Sequence, residues 1–149
     1  MRRKDRQIED VSEIAGILER CETGYLATCG DDMRPMATPV NYVYSGGSIF
    51  FHCALEGRKL DNIKANPNVG FTVATDIEID REAMTTRYAS VMVEGIASVV
   101  DSPMKKKEII SLLIGRFAAE GAHCSEEIAA RTNIVEIRAS ALVGKKNKC

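Results

Sequence analysis

The chain has 149 residues, 45% of them apolar and 28% charged, with a formal net charge of −1. That length suits a single domain over residues 1–149, burying roughly 70% of the surface its unfolded chain exposes. The near-zero charge gives no reason to expect a nucleic-acid partner, and no apolar run approaches the ~20 residues that span a bilayer, so no membrane partner is expected either.

The basic start MRRKDRQIEDV has no apolar stretch behind it and does not read as a secretory signal. Asp10-Val11-Ser12-Glu13 has capping-box spacing, with Asp10 in the cap role. Val11, Ile14, Leu18 and Cys21 follow at helical spacing, and this helix should end near Thr23-Gly24. Tyr25 to Cys29 reads as a short strand stopping at the turn Gly30-Asp31-Asp32. Met36 to Tyr44 reads as a longer strand. Pro39 interrupts it, and a proline cannot donate to a ladder, which points to an edge position or a bulge. Ser45-Gly46-Gly47 is a hairpin signal, and Ser48 to Cys53 is a third strand.

A helix then runs from Arg58 to the stop at Asn66-Pro67. Val69, Phe71 and Val73 alternate with Gly70, Thr72 and Ala74 in a fourth strand. Asp76 to Thr86 is polar and reads as a loop. Tyr88 to Val100 is a long strand with a bend at Gly95. Ser102-Pro103 opens the longest helix, with Ile109, Ile110, Leu113, Ile114 and Phe117 on one face and Lys105 to Glu108 facing water. Ile134 to Val143 is the sixth strand, and Gly144 to Lys148 reads as a solvated tail. These elements predict a mainly β fold, a six-stranded antiparallel β-barrel with flanking helices. A doubly wound parallel sheet is excluded, because no helices separate the first three strands.

Gly57-Arg58-Lys59 is the sharpest local signal. A helix N-terminus carries partial positive charge, and each cation there costs about 0.3–1 kcal/mol. Glu56 offsets part of this. The plain reading is a solvated helix start. The functional reading is a phosphate site, with backbone N–H groups and two cations aimed at one anion. Neither GxxxxGK[ST] nor GxGxxG occurs, so the common nucleotide loops are absent.

His52 and Cys53 are neighbours on a strand, so their side chains leave on opposite faces and cannot form a dyad. Cys53 shares the Ile49 and Phe51 face and belongs to the core, while His52 shares a face with Phe50 and Ala54. The other histidine, His123, sits beside Cys124 in a loop. The five cysteines include no CxxC and no zinc-ligand spacing, so no metal site is expected. They read as free thiols of a reducing cytoplasm. Thr38-Pro39-Val40-Asn41 reads either as a bulge or as polar contacts to a planar heterocycle. Tyr88 and Ser90 share one strand face, in the plain reading ordinary barrel surface.

The stretches MRRKDR, PVNYVY, FHCALEGRKLDNIKANPNVGF and RYASVMVEG occur in this order. Together they resemble the flavin-binding split-barrel superfamily of pyridoxamine 5′-phosphate oxidase, in its nitroimidazole-resistance-like branch. The resemblance covers Met1 to Val100, with a compatible helix and strand after it. It implies a homodimer with FMN at the subunit interface. Arg58 and Lys59 would hold the 5′-phosphate. His52 and Cys53 would line the cofactor, and Ala37, Thr38, Pro39, Val40, Asn41 and Tyr42 would run along its ring and ribityl chain. Tyr88 and Ser90 would reach it from the partner subunit.

The ending ALVGKKNKC lacks the arginine- and histidine-containing substrate segment of the vitamin B6 oxidases, which argues against that activity. The activity expected instead is that of a small FMN-dependent oxidoreductase. It would take electrons from NAD(P)H and reduce a small acceptor such as a nitroaromatic, with His52 as the catalytic proton donor. Imidazole suits that role near neutral pH. The alternatives are a non-enzymatic flavin-binding or sensing module, a deazaflavin protein, and a haem-binding split barrel with His52 as candidate ligand.

Overall fold

The computed structural model describes residues 3–147. The elements run β1 (Gln7–Ile8), α1 (Val11–Arg20), β2 (Thr23–Cys29), β3 (Pro35–Asn41), β4 (Val43–Ser45), β5 (Ser48–Cys53) and α2 (Arg58–Ala65). Then follow β6 (Asn68–Asp80), β7 (Thr85–Val99), α3 (Pro103–Phe117), α4 (Glu126–Ala130) and β8 (Asn133–Asn147). The strands form one antiparallel sheet in the order β3-β2-β6-β7-β8-β5-β4, with β1 paired to the end of β8. The mainly β, antiparallel split-barrel architecture with flanking helices is as the sequence predicts.

The strand count is eight rather than six. The run from Met36 to Tyr44 divides at Tyr42, which is fully buried and donates its hydroxyl to the Leu18 carbonyl at 2.5 Å. That inward pull separates β3 from β4. The eighth strand, β1, is only two residues long and is recruited by β8 through Gln7 opposite Lys145 and Ile8 opposite Gly144.

Three further boundaries differ. The expected loop from Asp76 to Thr86 is largely an extension of β6 and β7, with a bulge between Thr75 and Glu78. Both faces of this arm meet water, and its side chains, polar apart from the exposed Ile77, Ile79 and Met84, show no buried face that would reveal the pairing. The expected tail from Gly144 is also strand. A Cβ on Gly144 would lie 2.7 Å from Ile14 Cγ1, so only glycine lets α1 seat there. Lys146 Nζ donates to the Glu13 carboxylate at 2.6 and 2.8 Å, fixing the same contact. Lys148 lies outside the described residues. Finally, α1 stops at Arg20, because Thr23 already pairs with Asn41.

Two apolar clusters divide the interior. Inside the barrel, Leu26, Ile49, Phe51, Phe71, Val73 and Val91 pack with Tyr42. Outside it, α3 lays Ile109 and Leu113 on Phe50, Val43 and Ile134. Burying such a side chain contributes about 1.5–3 kcal/mol. Lys105 does not face water freely as its position in the pattern predicts. Its ammonium bonds Glu136 Oε2 at 2.7 Å and lies 5.2 Å from the centre of the Phe50 ring. Among the described residues no helix is long and apolar enough to cross a membrane.

Candidate functional site

The corner between β5 and α2 is built on Gly57. Its φ of 137° lies where a side chain would be strained, and a Cβ there would meet nothing within 4 Å. Gly57 caps α2 without a side-chain bond, so the N–H groups of Arg58 and Lys59 point outward uncapped. Leu60 and Ile63 are buried beneath the helix. Asn62 Nδ2 donates to Thr28 Oγ1 at 3.0 Å, both side chains buried, and this ties α2 to β2. The Arg58 guanidinium lies 3.5 Å from the Asp32 carboxylate on the β2–β3 turn, and both are half exposed. Lys59 Nζ sits 5.7 Å from the Phe51 ring centre. Its sequence context marks Asp32 as turn chemistry; in the structure it also partly offsets the cations at the helix end.

β3 ends the sheet on one side, as Pro39 predicts. Every second backbone N–H and C=O along its outer edge therefore has no strand beside it, apart from the missing donor of Pro39. Ala37, Pro39 and Asn41 are exposed and Thr38 is half-buried, while Val40 and Tyr42 turn into the core. Asn41 Nδ2 donates to the Glu22 carbonyl at 3.1 Å, which fixes its amide. Val40 and Tyr42 can meet a ligand only through their backbone.

His52 and Cys53 diverge as strand alternation requires. Cys53 is buried inside the barrel; burial pushes its thiol pKa up, and the nearby Lys59 charge only partly opposes this. His52 is exposed on the outer face and lines a cavity of about 270 Å³. There it and Asn41 face Leu113 and Phe117 of α3, with Ile128 and Thr132 beyond them. Neither Arg58 nor Lys59 lines this cavity. The structure thus brings His52 and Asn41 together and leaves the two cations at the adjoining corner.

Tyr88 and Ser90 stand apart. His52 is opposite Ile134, and the Ile134 carbonyl accepts from Val100 N at 2.8 Å. Tyr88 lies twelve residues back along β7 from Val100, about 40 Å of strand at roughly 3.3 Å per residue. At that end Lys145 Nζ lies 5.8 Å from the Tyr88 ring centre. Partial burial raises the Tyr88 hydroxyl pKa, but hydrogen bonds from Lys145 and Arg6 outweigh it and hold it below the usual tyrosine range.

The pyridoxamine 5′-phosphate oxidase family model matches residues 10–146. The chain belongs to the pyridoxamine 5′-phosphate oxidase family. No curated protein matches it. Among solved structures, a candidate 5-nitroimidazole antibiotic resistance protein from Bacteroides thetaiotaomicron superposes with a TM-score of 0.83 at 18% identity, covering 93% of this chain and 85% of that one. A FAD-binding protein from Mesorhizobium loti gives a TM-score of 0.73 at 21% identity, with 96% and 98% covered. An F420 reductase gives 0.62 at 26% identity, with 85% and 93% covered. These structures share the fold, and the last two carry FAD and F420 in their names.

Proposed function

We propose that this member of the oxidase family binds FMN at a homodimer interface and acts as a small cytoplasmic oxidoreductase. Electrons would pass from NAD(P)H to a small acceptor such as a nitroaromatic. The observation that carries the reading is the uncapped start of α2, where Arg58 and Lys59 stand on outward-facing N–H groups beside an unpaired strand edge. That corner suits a phosphate dianion, and the edge of β3 suits the alternating donors and acceptors of a flavin ring.

FMN, when bound, supplies hydride and electron transfer. The chain supplies the rest. Arg58 and Lys59 hold the phosphate, with the Arg58–Asp32 pair orienting the guanidinium. The backbone of Ala37 to Tyr42 orients the ring. His52 donates a proton from its imidazole N–H to the acceptor, and α3 shields the acceptor from water. The four described cysteines are free thiols, in keeping with a reducing compartment.

The dimer is supported by the outer face of the sheet. Pro39, Tyr25, Thr72, Met92 and Val143 form one cross-strand row. Tyr25 is 51% and Met92 43% exposed, large apolar groups for an open surface. Ser90 lies on the same face as Met92, so a second copy seated there would also cover the residue stranded far from His52.

The test is cofactor binding. Purified protein should show the two absorption bands of a flavin. Charge-assisted bonds contribute about 1.5–3 kcal/mol, so Lys59→Ala should weaken FMN by about 10–150-fold. Riboflavin, which lacks the phosphate, should bind wild type and variant alike. Equal weakening of riboflavin would remove the phosphate assignment.

A further inference from the structure

The cavity beside His52 has walls of two kinds. The barrel contributes His52 and Asn41, and α3 with the segment after it contributes the rest. No Asp, Glu, Lys or Arg lines it. A charged ligand would therefore trade its hydration for the hydrogen bonds of His52, Asn41 and Thr132, with no Asp, Glu, Lys or Arg to neutralise it. Size adds a second limit. An apolar cavity of about 150 Å³ holds benzene, so by proportion one of 270 Å³ holds about eleven non-hydrogen atoms. Nitrobenzene falls within that limit and 1-nitronaphthalene exceeds it.

Ile128 stands where this limit is set. It lines the cavity and is still 59% exposed, so it lies at the mouth rather than in the floor. It rides on α4, whose ties are local. Ser125 Oγ accepts from Ile128 N at 3.3 Å, Thr132 Oγ1 donates to the Ile128 carbonyl at 2.8 Å, and Arg131 pairs with Glu127 at 3.5 Å. Among the described residues, the hydrogen bonds and ion pair of α4 all fall within 125–132. The Ile128 side chain is thus what α4 presents to a ligand entering toward His52.

We infer that Ile128 is a specificity-determining residue that limits the ligand beside His52 to one uncharged ring. The identity of that ligand as the electron acceptor rests on the proposed function; the size and charge limits do not. The experiment is calorimetric binding to the protein as purified, with nitrobenzene, its charged isostere benzoate and 1-nitronaphthalene as probes. Nitrobenzene should bind at least about tenfold more tightly than either of the others. Ile128→Ala should narrow the nitrobenzene-to-nitronaphthalene ratio about tenfold, the scale of a few carbons in an apolar pocket. Ile128→Phe should weaken nitrobenzene itself by about tenfold. Ile128→Val provides a milder variant that shifts the ratio in the same direction as alanine.

Unchanged ratios in all three variants would overturn the inference, as would benzoate binding as tightly as nitrobenzene. A colourless protein that still shows these ratios would sink the flavin reading and leave this one standing. A flavin-loaded protein without them would do the reverse.

Discussion

The side chains of His52 and Cys53 leave one strand in opposite directions, and their chemistry separates with them. Burial raises the Cys53 thiol pKa, so little thiolate forms and the group is a poor nucleophile. His52 reaches the cavity, where the proposed acceptor, in taking up electrons, would also need protons. His52→Ala should therefore keep most of its FMN affinity and lose about 10²–10⁴-fold in acceptor reduction. Fluorescence quenching reads the first quantity, and stopped-flow reoxidation by a nitroaromatic reads the second. Unchanged reoxidation would leave His52 a structural residue. The strand residue and the two cations were legible because they lie within eight positions of sequence and each obeys a local rule. Asp32 was not, since an aspartate in a turn already has a sufficient local explanation. The cavity was not legible either: Leu113, Ile128 and Thr132 meet His52 only through tertiary packing, and 118–133 carries no strong periodic pattern.

Among the elements, α3 depends on a polar latch at its first turn. Lys105 bonds Glu136 on β8, and Ser48 Oγ on β5 donates to the same carboxylate at 3.0 Å. Partial burial would raise the Glu136 pKa, but the bonds from Lys105 and Ser48 outweigh it and hold it below the usual 4.5. A carboxylate with a depressed folded pKa adds stability above its unfolded pKa, and that stability is lost as pH falls through the folded value. Lys105→Met keeps the aliphatic stem over Phe50 and removes the charge. It should destabilise the protein by about 1 kcal/mol at pH 7, a value reduced for the partly exposed lysine. Urea melts at several pH values should show the difference from wild type closing as pH drops below 4.5. A gap that stays constant with pH would assign the effect to packing instead. Alternation revealed β2, the first half of β6 and most of β7 because each has one dry face, while β5, dry on nearly all of both, followed from the hairpin signal before it. The arm around 76–86 and the end of β8 lacked that signature: the first is wet on both sides, and the second is held by a glycine and two lysines. Sequence patterning reports the burial of apolar side chains, and pairing that buries none leaves no trace in it.

For the whole molecule, the row through Tyr25 and Met92 is the surface to disturb. Met92→Glu would place a charge in the proposed dimer contact, at a cost of several kcal/mol. Sedimentation should show two chains per particle for wild type and a shift toward single chains for Met92→Glu. FMN affinity should fall with it, because the proposed site draws on both subunits. A single-chain variant that still binds FMN tightly would rule out a shared site. The two ends of the sheet have their own consequence. β4 is only three residues long, and β3 carries Pro39 at its centre opposite Tyr25. A foreign strand docking along β3 would find a donor missing midway and could not complete its ladder. A chain whose sheet ends are guarded in this way is a poor seed for fibrous growth.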